Sequence, residues 1–244
     1  MEFNELIIYL LLPTFAFLYA SVGHGGASSY LMILALLNFA PEQIRPTALI
    51  MNMFVSLLAF ISFRKNIDFP FRLFFLLVAF SIPAAYWGGT ILVDTQWYKR
   101  ILGLLLIFPI LKFFELLPKG KVLEVQEKWW LIGIIGLMIG WVSGLIGIGG
   151  GIILSPIILL LGWADVKETA AVSALFIFLN SVSGFLGADG FSVDISPQLW
   201  IVMPLTIFGG ALGAYLGASK FQPTLVKKLL GLVLLVAAVK LISD

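Results

Sequence analysis

The chain has 244 residues, 61% of them hydrophobic and 11% charged, with a net charge of +2 and no cysteine. Charged residues make up roughly a quarter of a soluble domain, so a soluble fold is excluded. The missing thiols exclude disulfides, thiolate metal centres and thiol catalysis, and so small a net charge gives nucleic acid no footprint.

A bilayer span takes about 20 mainly apolar residues, and stretches of that kind recur along the whole sequence. The acidic start Met1-Glu2-Phe3-Asn4-Glu5 lacks the basic flank of a cleavable signal, so the first apolar run is expected to stay in the mature protein. Apolar helical segments follow at 6–22, 27–39, 47–63, 71–93 and 101–117, then at 129–146, 152–163, 169–188, 199–219 and 225–242. Between the two sets lies 118–128, the longest hydrophilic run, which reads as a cytoplasmic linker joining an N-terminal repeat, 1–117, to a C-terminal repeat, 129–244. Other landmarks recur in order. Pro83 with Gly88-Gly89 is followed by Lys99-Arg100 and Gly103, and Pro204 with Gly209-Gly210 by Lys227-Lys228 and Gly231. An internal repeat accounts for that order better than apolar composition alone.

Each half opens on a glycine knot: Gly23-His24-Gly25-Gly26, and Gly147-Ile148-Gly149-Gly150-Gly151. Each glycine costs a helix about 1 kcal/mol against alanine, so these runs break it. The alternative is that the glycines only allow close helix packing, but packing motifs are spaced by a turn rather than run together. The segments after the knots, 27–39 and 152–163, are too short at about 1.5 Å per residue to cross a ~30 Å hydrocarbon core. They are expected to be half-helices that start near mid-membrane, with unpaired N–H groups and the positive dipole end directed inward.

Orientation follows from charge. If each knot turns the chain back and the N-terminus lies outside, 11 of the 15 basic residues fall on the cytoplasmic side, as the positive-inside rule requires. The exceptions are Arg45, Lys99, Arg100 and Lys240. If each knot is only a kink in one crossing, neither orientation is favoured. The predicted fold is thus an all-α polytopic membrane protein with both termini outside. It has two inverted repeats of five membrane elements each, about ten in total, and each repeat opens on a glycine-broken re-entrant or half-helix pair.

Two helix N-termini facing each other across such a repeat axis would form an anion site from Gly23, Gly25, Gly26, Gly149, Gly150 and Gly151. His24, the only histidine, could donate a hydrogen bond there or add a charge when protonated; tying down broken backbone is its structural alternative. Ser28, Ser29 and Ser155 fall in the first turns after the knots, where hydroxyls cap helices or extend an anion site. Ser173, Asn180 and Gly184 share a helical face, and Asn52 with Ser56 occupies a comparable place in the first half. Such a stripe lines a pathway or hydrogen-bonds a neighbouring helix. The segments hold almost no carboxylates, so a carboxylate proton relay is missing. No HExxH, GxSxG or P-loop pattern occurs, and neither an enzyme activity nor a cofactor or metal is expected.

The duplicated knot with its short apolar helix is clearest in Gly147-Ile148-Gly149-Gly150-Gly151-Ile152-Ile153-Leu154-Ser155-Pro156. Together with Ala170-Ala171-Val172-Ser173-Ala174-Leu175 and Asn180, it resembles the TauE/SafE family of membrane permeases, over essentially the whole chain. The resemblance implies a bacterial or archaeal cytoplasmic-membrane carrier of small sulfur-containing anions such as sulfite or organosulfonates, and the leading reading is an anion carrier working by alternating access. An anion channel is the nearest alternative, and an intramembrane enzyme using His24 a more distant one. The first half departs from the pattern with His24 for an aliphatic residue, Ala27 for the last glycine and Leu31-Met32 for Ser155-Pro156. These positions lie where the anion would be held, which leaves the choice of anion open.

Overall fold

The computed structural model describes residues 3–21, 23–65, 67–113, 126–219, 235 and 239. Its helices are α1 (Phe3–Ala20), α2 (Ala27–Leu36), α3 (Pro41–Phe63), α4 (Phe71–Thr90), α5 (Thr95–Phe113), α6 (Trp129–Ile146), α7 (Gly151–Leu161), α8 (Val166–Gly187) and α9 (Pro197–Ser219). All regular structure among the described residues is helical. By length and apolar composition, α3, α4, α6, α8 and α9 are each able to cross a membrane. Most of the linker and of the last expected segment, 225–242, lies outside the described residues.

Several helices start earlier than their apolar runs suggest, and in α3 and α8 the cause is local. α3 begins at Pro41, after extended Ala40 at ψ 143°, because proline at the first helical position lacks only an N–H that the helix leaves unpaired anyway. α8 begins with a capping box. Asp165 Oδ1 accepts from the N–H groups of Lys167 at 2.7 Å and Glu168 at 2.8 Å, and Glu168 Oε2 accepts from the Asp165 N–H at 2.8 Å. Such a cap contributes about 0.5–2 kcal/mol, enough to hold a polar turn in the helix.

Glycines spaced by one turn join the helices. Gly136, Gly140 and Gly144 of α6 lie on the backbone of Leu77, Ser81 and Ala85 of α4, and Gly209, Gly213 and Gly217 of α9 on Pro13 and Phe17 of α1 and on Ser21 just past its end. A Cβ at any of them would overlap a carbonyl oxygen, so backbones approach as only small residues allow. Residue numbers rise together in both pairs, so each pair runs parallel. α8 is parallel to α4, with Ser183 donating to the Ile82 carbonyl and Gly187 against Tyr86. It is antiparallel to α3: Asn52 meets Ser181, and Leu49 meets Gly184.

Since α6 and α8 both run with α4, the chain must reverse between them, and the second knot is where it does. α7 starts with Gly151 against Ile177, near the middle of α8, and α2 starts just after Gly25, which abuts Asn52 near the middle of α3. The two short helices, about 15 and 16 Å long at 1.5 Å per residue, therefore begin deep inside the helix bundle. Exposed aromatics mark its two ends, with Tyr86, Trp87, Trp97 and Trp200 at one and Phe71, Trp129, Trp130 and Tyr215 at the other. Such belts sit at membrane–water interfaces.

Candidate functional site

Both knots owe their shape to left-handed backbone that only glycine enters cheaply. Gly147 ends α6 at φ 92°, its N–H bonding the Ser143 carbonyl at 2.7 Å, and Gly149 and Gly150 follow at φ 74° and 77°. In the first knot Gly23 and Gly26 take φ 80° and 92°. Gly26 and Gly150 are the N-caps of α2 and α7, and neither offers a side-chain cap. The N–H groups of Ala27, Ser28, Gly151 and Ile152 are those that helix geometry leaves without an intrahelical acceptor. The carbonyls of the first knot are engaged: Tyr30 Oη donates to Gly25 O at 2.8 Å and Ser29 Oγ to Gly26 O at 2.6 Å.

The knots meet on one side chain. A Cβ at Gly25 would overlap Asn52 Oδ1, and one at Gly149 would overlap Asn52 Nδ2, while Ile177 abuts Gly25, Gly149 and Gly151. The Asn52 amide thus lies between the two glycine turns. Its Nδ2 donates to Ser181 Oγ at 3.0 Å, and its Oδ1 is buried without a partner. Everything around it is sealed: Asn52 is 1% exposed, Ser181 0% and Ser155 3%.

His24 stands beside this point and is 6% exposed. Its Nε2 lies 3.1 Å from Ser155 Oγ, which is 2.9 Å from Ser173 Oγ and 2.8 Å from the Gly151 carbonyl. A hydroxyl carries one proton. With Nε2 protonated, His24 donates to Ser155, and Ser155 then donates onward to Ser173 or Gly151. His24 from the first knot is in this way hydrogen-bonded to the first turns of α7.

Of the residues singled out in the sequence, Gly25, Asn52 and Gly149 come together, and His24, Gly151 and Ser173 form the adjoining chain through Ser155. Gly150 packs on Ile139 and Phe176, and Gly26 under the Tyr30 ring. Gly23 lies apart, against Ala170 and Phe63. Ser28 Oγ donates to Tyr19 Oη at 3.1 Å, and Ser29 bonds a carbonyl instead of capping an N–H. Asn180 Nδ2 turns back to the Phe176 carbonyl at 2.8 Å in its own helix. Ile177, Ser181 and Tyr30 are absent from that set, and Arg45 enters the sequence reading only as an exception to the charge rule; of the four, only Ile177 carries no signal in the sequence.

Residues 9–241 match the family model described as Sulfite exporter TauE/SafE. The chain is 31% identical over 234 residues, 93% of its length and 94% of the other's, to the probable membrane transporter protein y4hK of Sinorhizobium fredii. It is 29% identical over 109 residues to the probable membrane transporter protein MJ0441 of Methanocaldococcus jannaschii, covering 43% of this chain and 40% of that one. A third relative, the probable membrane transporter protein YunE of Bacillus subtilis, is 33% identical over 115 residues, 45% of this chain and 40% of its own. No solved structure matches.

Proposed function

The chain belongs to the sulfite exporter TauE/SafE family, a family of membrane transporters and not of enzymes, and on that premise we propose that it is a secondary carrier of small sulfur-containing anions. The anion binds between the two knots, against Asn52 and the N-terminal N–H groups of α2 and α7. The observation that carries this reading is the convergence of Gly25 and Gly149 on one buried amide. Unpaired N–H groups at helix starts hold anions without a fixed cation, and transporters build such sites from broken helices in corresponding halves. The sealed position favours a gated carrier working by alternating access over an open channel. The test is flux in proteoliposomes: saturable sulfite or sulfonate uptake with counterflow supports the carrier, and unsaturable conductance would replace it with a channel.

The inverted repeat of five elements per half is part of the same reading. Exchanging the halves exchanges α1 with α6, α2 with α7, α3 with α8 and α4 with α9. Under that exchange the α4–α6 contact becomes α9–α1, α4–α8 becomes α9–α3, and α2–α3 becomes α7–α8, all of which occur. The proposed topology in the cytoplasmic membrane has loops 64–72, 118–128 and 220–228 inside and both termini outside. Because the native chain has no cysteine, a single Gly120→Cys reporter gives a clean answer. It should react with an impermeant thiol reagent only after the membrane is opened, and reaction in intact cells would overturn the topology.

His24 is expected to make affinity pH-dependent. Binding of a sulfonate, whose own charge is constant between about pH 5 and 8, should strengthen about tenfold as pH falls through that range, since tenfold corresponds to about 1.4 kcal/mol of differential interaction. His24→Gln should bind through the helix starts with no such slope. Identical titrations for the two proteins would assign His24 a purely structural part.

A further inference from the structure

Arg45, in the second turn of α3, is the one charged side chain buried among the described residues, at 4% exposure. Its Nη1 donates to the Ile91 carbonyl at 2.9 Å, and its Nη2 to the Gly89 and Gly144 carbonyls at 2.8 and 3.0 Å. Its Nε is buried with no partner. The carbonyls belong to the C-terminal ends of α4 and α6, where unpaired C=O groups and the negative dipole end favour a cation. Tyr98 Oη adds a bond to the Ile146 carbonyl at 2.9 Å. The second knot is bound into the same cluster, since a Cβ at Gly147 would lie 3.5 Å from Arg45 Cα.

Among the described residues, the related place in the other half shows no buried guanidinium of this kind. Gly23 stands against Ala170 as Gly147 stands against Arg45. The carbonyls ending α1 are taken up within their own turn: Phe17 O accepts from Ser21 N, Tyr19 O from His24 N and Ala20 O from Gly23 N, each at 3.0 Å. Among the described residues, one end is thus tied by a guanidinium and the other by bonds within its own backbone turn. Beside Arg45 opens a cavity of about 180 Å³, bordered by Gly89, Leu92, Ser192 and the exposed carboxylic residues Glu42 and Asp189. A water occupies ~30 Å³ of liquid, so a small oxyanion fits with some of its water.

We propose that Arg45 is a second anion-recognition point that acts as a ligand-released latch. A small oxyanion in this cavity takes the guanidinium from the Gly89, Ile91 and Gly144 carbonyls, which frees the ends of α4 and α6 and the second knot to part from α3. The guanidinium's bonds to the neutral carbonyls are already charge-assisted, so the anion competes by meeting it with a full opposite charge and a bidentate geometry. Nε, buried without a partner in the latched arrangement, becomes one of the two donors once the guanidinium leaves the carbonyls. Glu42 and Asp189 border the same space and keep the anion's stay short, as a release site requires. The inference rests on the carrier reading above and deepens it by giving the two ends of the path different chemistry.

The test places one reporter, Ser143→Cys, in the full-length chain; Ser143 is fully buried beside Gly150. Its reaction with an impermeant maleimide is timed from the Arg45 side in proteoliposomes, with ethanesulfonate, with sulfate or with neither. Either anion is expected to raise the rate about tenfold. Arg45→Gln should show the raised rate without anion and no further response, and Arg45→Lys, one point charge in place of a fork, should lie between. An unchanged basal rate in Arg45→Gln, or in Arg45→Lys should the first variant not fold, would overturn the latch. A parent rate indifferent to both anions would overturn its release by ligand. Flux is measured separately: a parent that carries no sulfite or sulfonate but keeps the Arg45-dependent labelling retains the latch and loses the carrier reading.

Discussion

Replacing Gly25 with leucine is expected to lower anion flux more than 100-fold while leaving a folded, membrane-inserted protein. Gly25 is not among the glycines with positive φ, so its backbone accommodates any L-residue and the penalty is one of space. A Cβ there meets Asn52 Oδ1 and lies 3.2 Å from Ile177 Cγ2, and the rest of a leucine would fill the point where the knots converge. A 100-fold loss corresponds to about 2.7 kcal/mol, which the lost approach to two or three backbone N–H donors covers. Gly150→Leu should also abolish flux, but for mixed reasons. Its φ of +77° strains any side chain, and its Cβ would lie 2.7 Å from Ile139 Cγ2. Gly140→Leu is the contrasting control, because its Cβ would be driven into the Ser81 backbone and should cost the fold itself. Wild-type flux through Gly25→Leu would make the knots packing devices.

The knots were legible because three glycines in four residues, or four in five, are a local statement about helix breaking, independent of what surrounds them. The face that each long helix turns toward them was not. Asn180 and Ser181 are neighbours in sequence but about 100° apart around α8, and long-range packing decides that Ser181 receives the Asn52 amide while Asn180 bonds its own helix. Ser173, chosen for its helical offset, reaches Ser155 and through it His24. Ile177 touches three of the knot glycines, yet an isoleucine in an apolar helix carries no mark. Arg45 was hidden differently. In Pro41-Glu42-Gln43-Ile44-Arg45-Pro46 the prolines and charges look like a loop, whereas proline at the first helical position extends α3 and draws the arginine inside.

Asn52→Asp is expected to be the most damaging near-isosteric change in the protein, lowering flux about 1,000-fold at pH 8. The side chain keeps its shape, and Ser181, now accepting from Nδ2, can rotate its hydroxyl to donate to the carboxylate. Fold and expression should therefore survive, and thermal stability without ligand should hold or rise, since the carboxylate would itself satisfy the positive ends of α2 and α7. A transported anion would then have to approach within about 4 Å of a fixed negative charge, which costs about 4 kcal/mol at an effective dielectric of 20. Asn52→Leu removes the amide without adding charge and leaves the backbone N–H groups in place, so a drop of about tenfold is expected. The order of the two variants carries the argument. A packing role for Asn52 makes the isosteric aspartate the milder change, whereas an anion at that point makes it the harsher one by about two orders of magnitude. Flux in Asn52→Asp equal to or above that in Asn52→Leu, measured on protein of matched monodispersity, would take the anion away from this position.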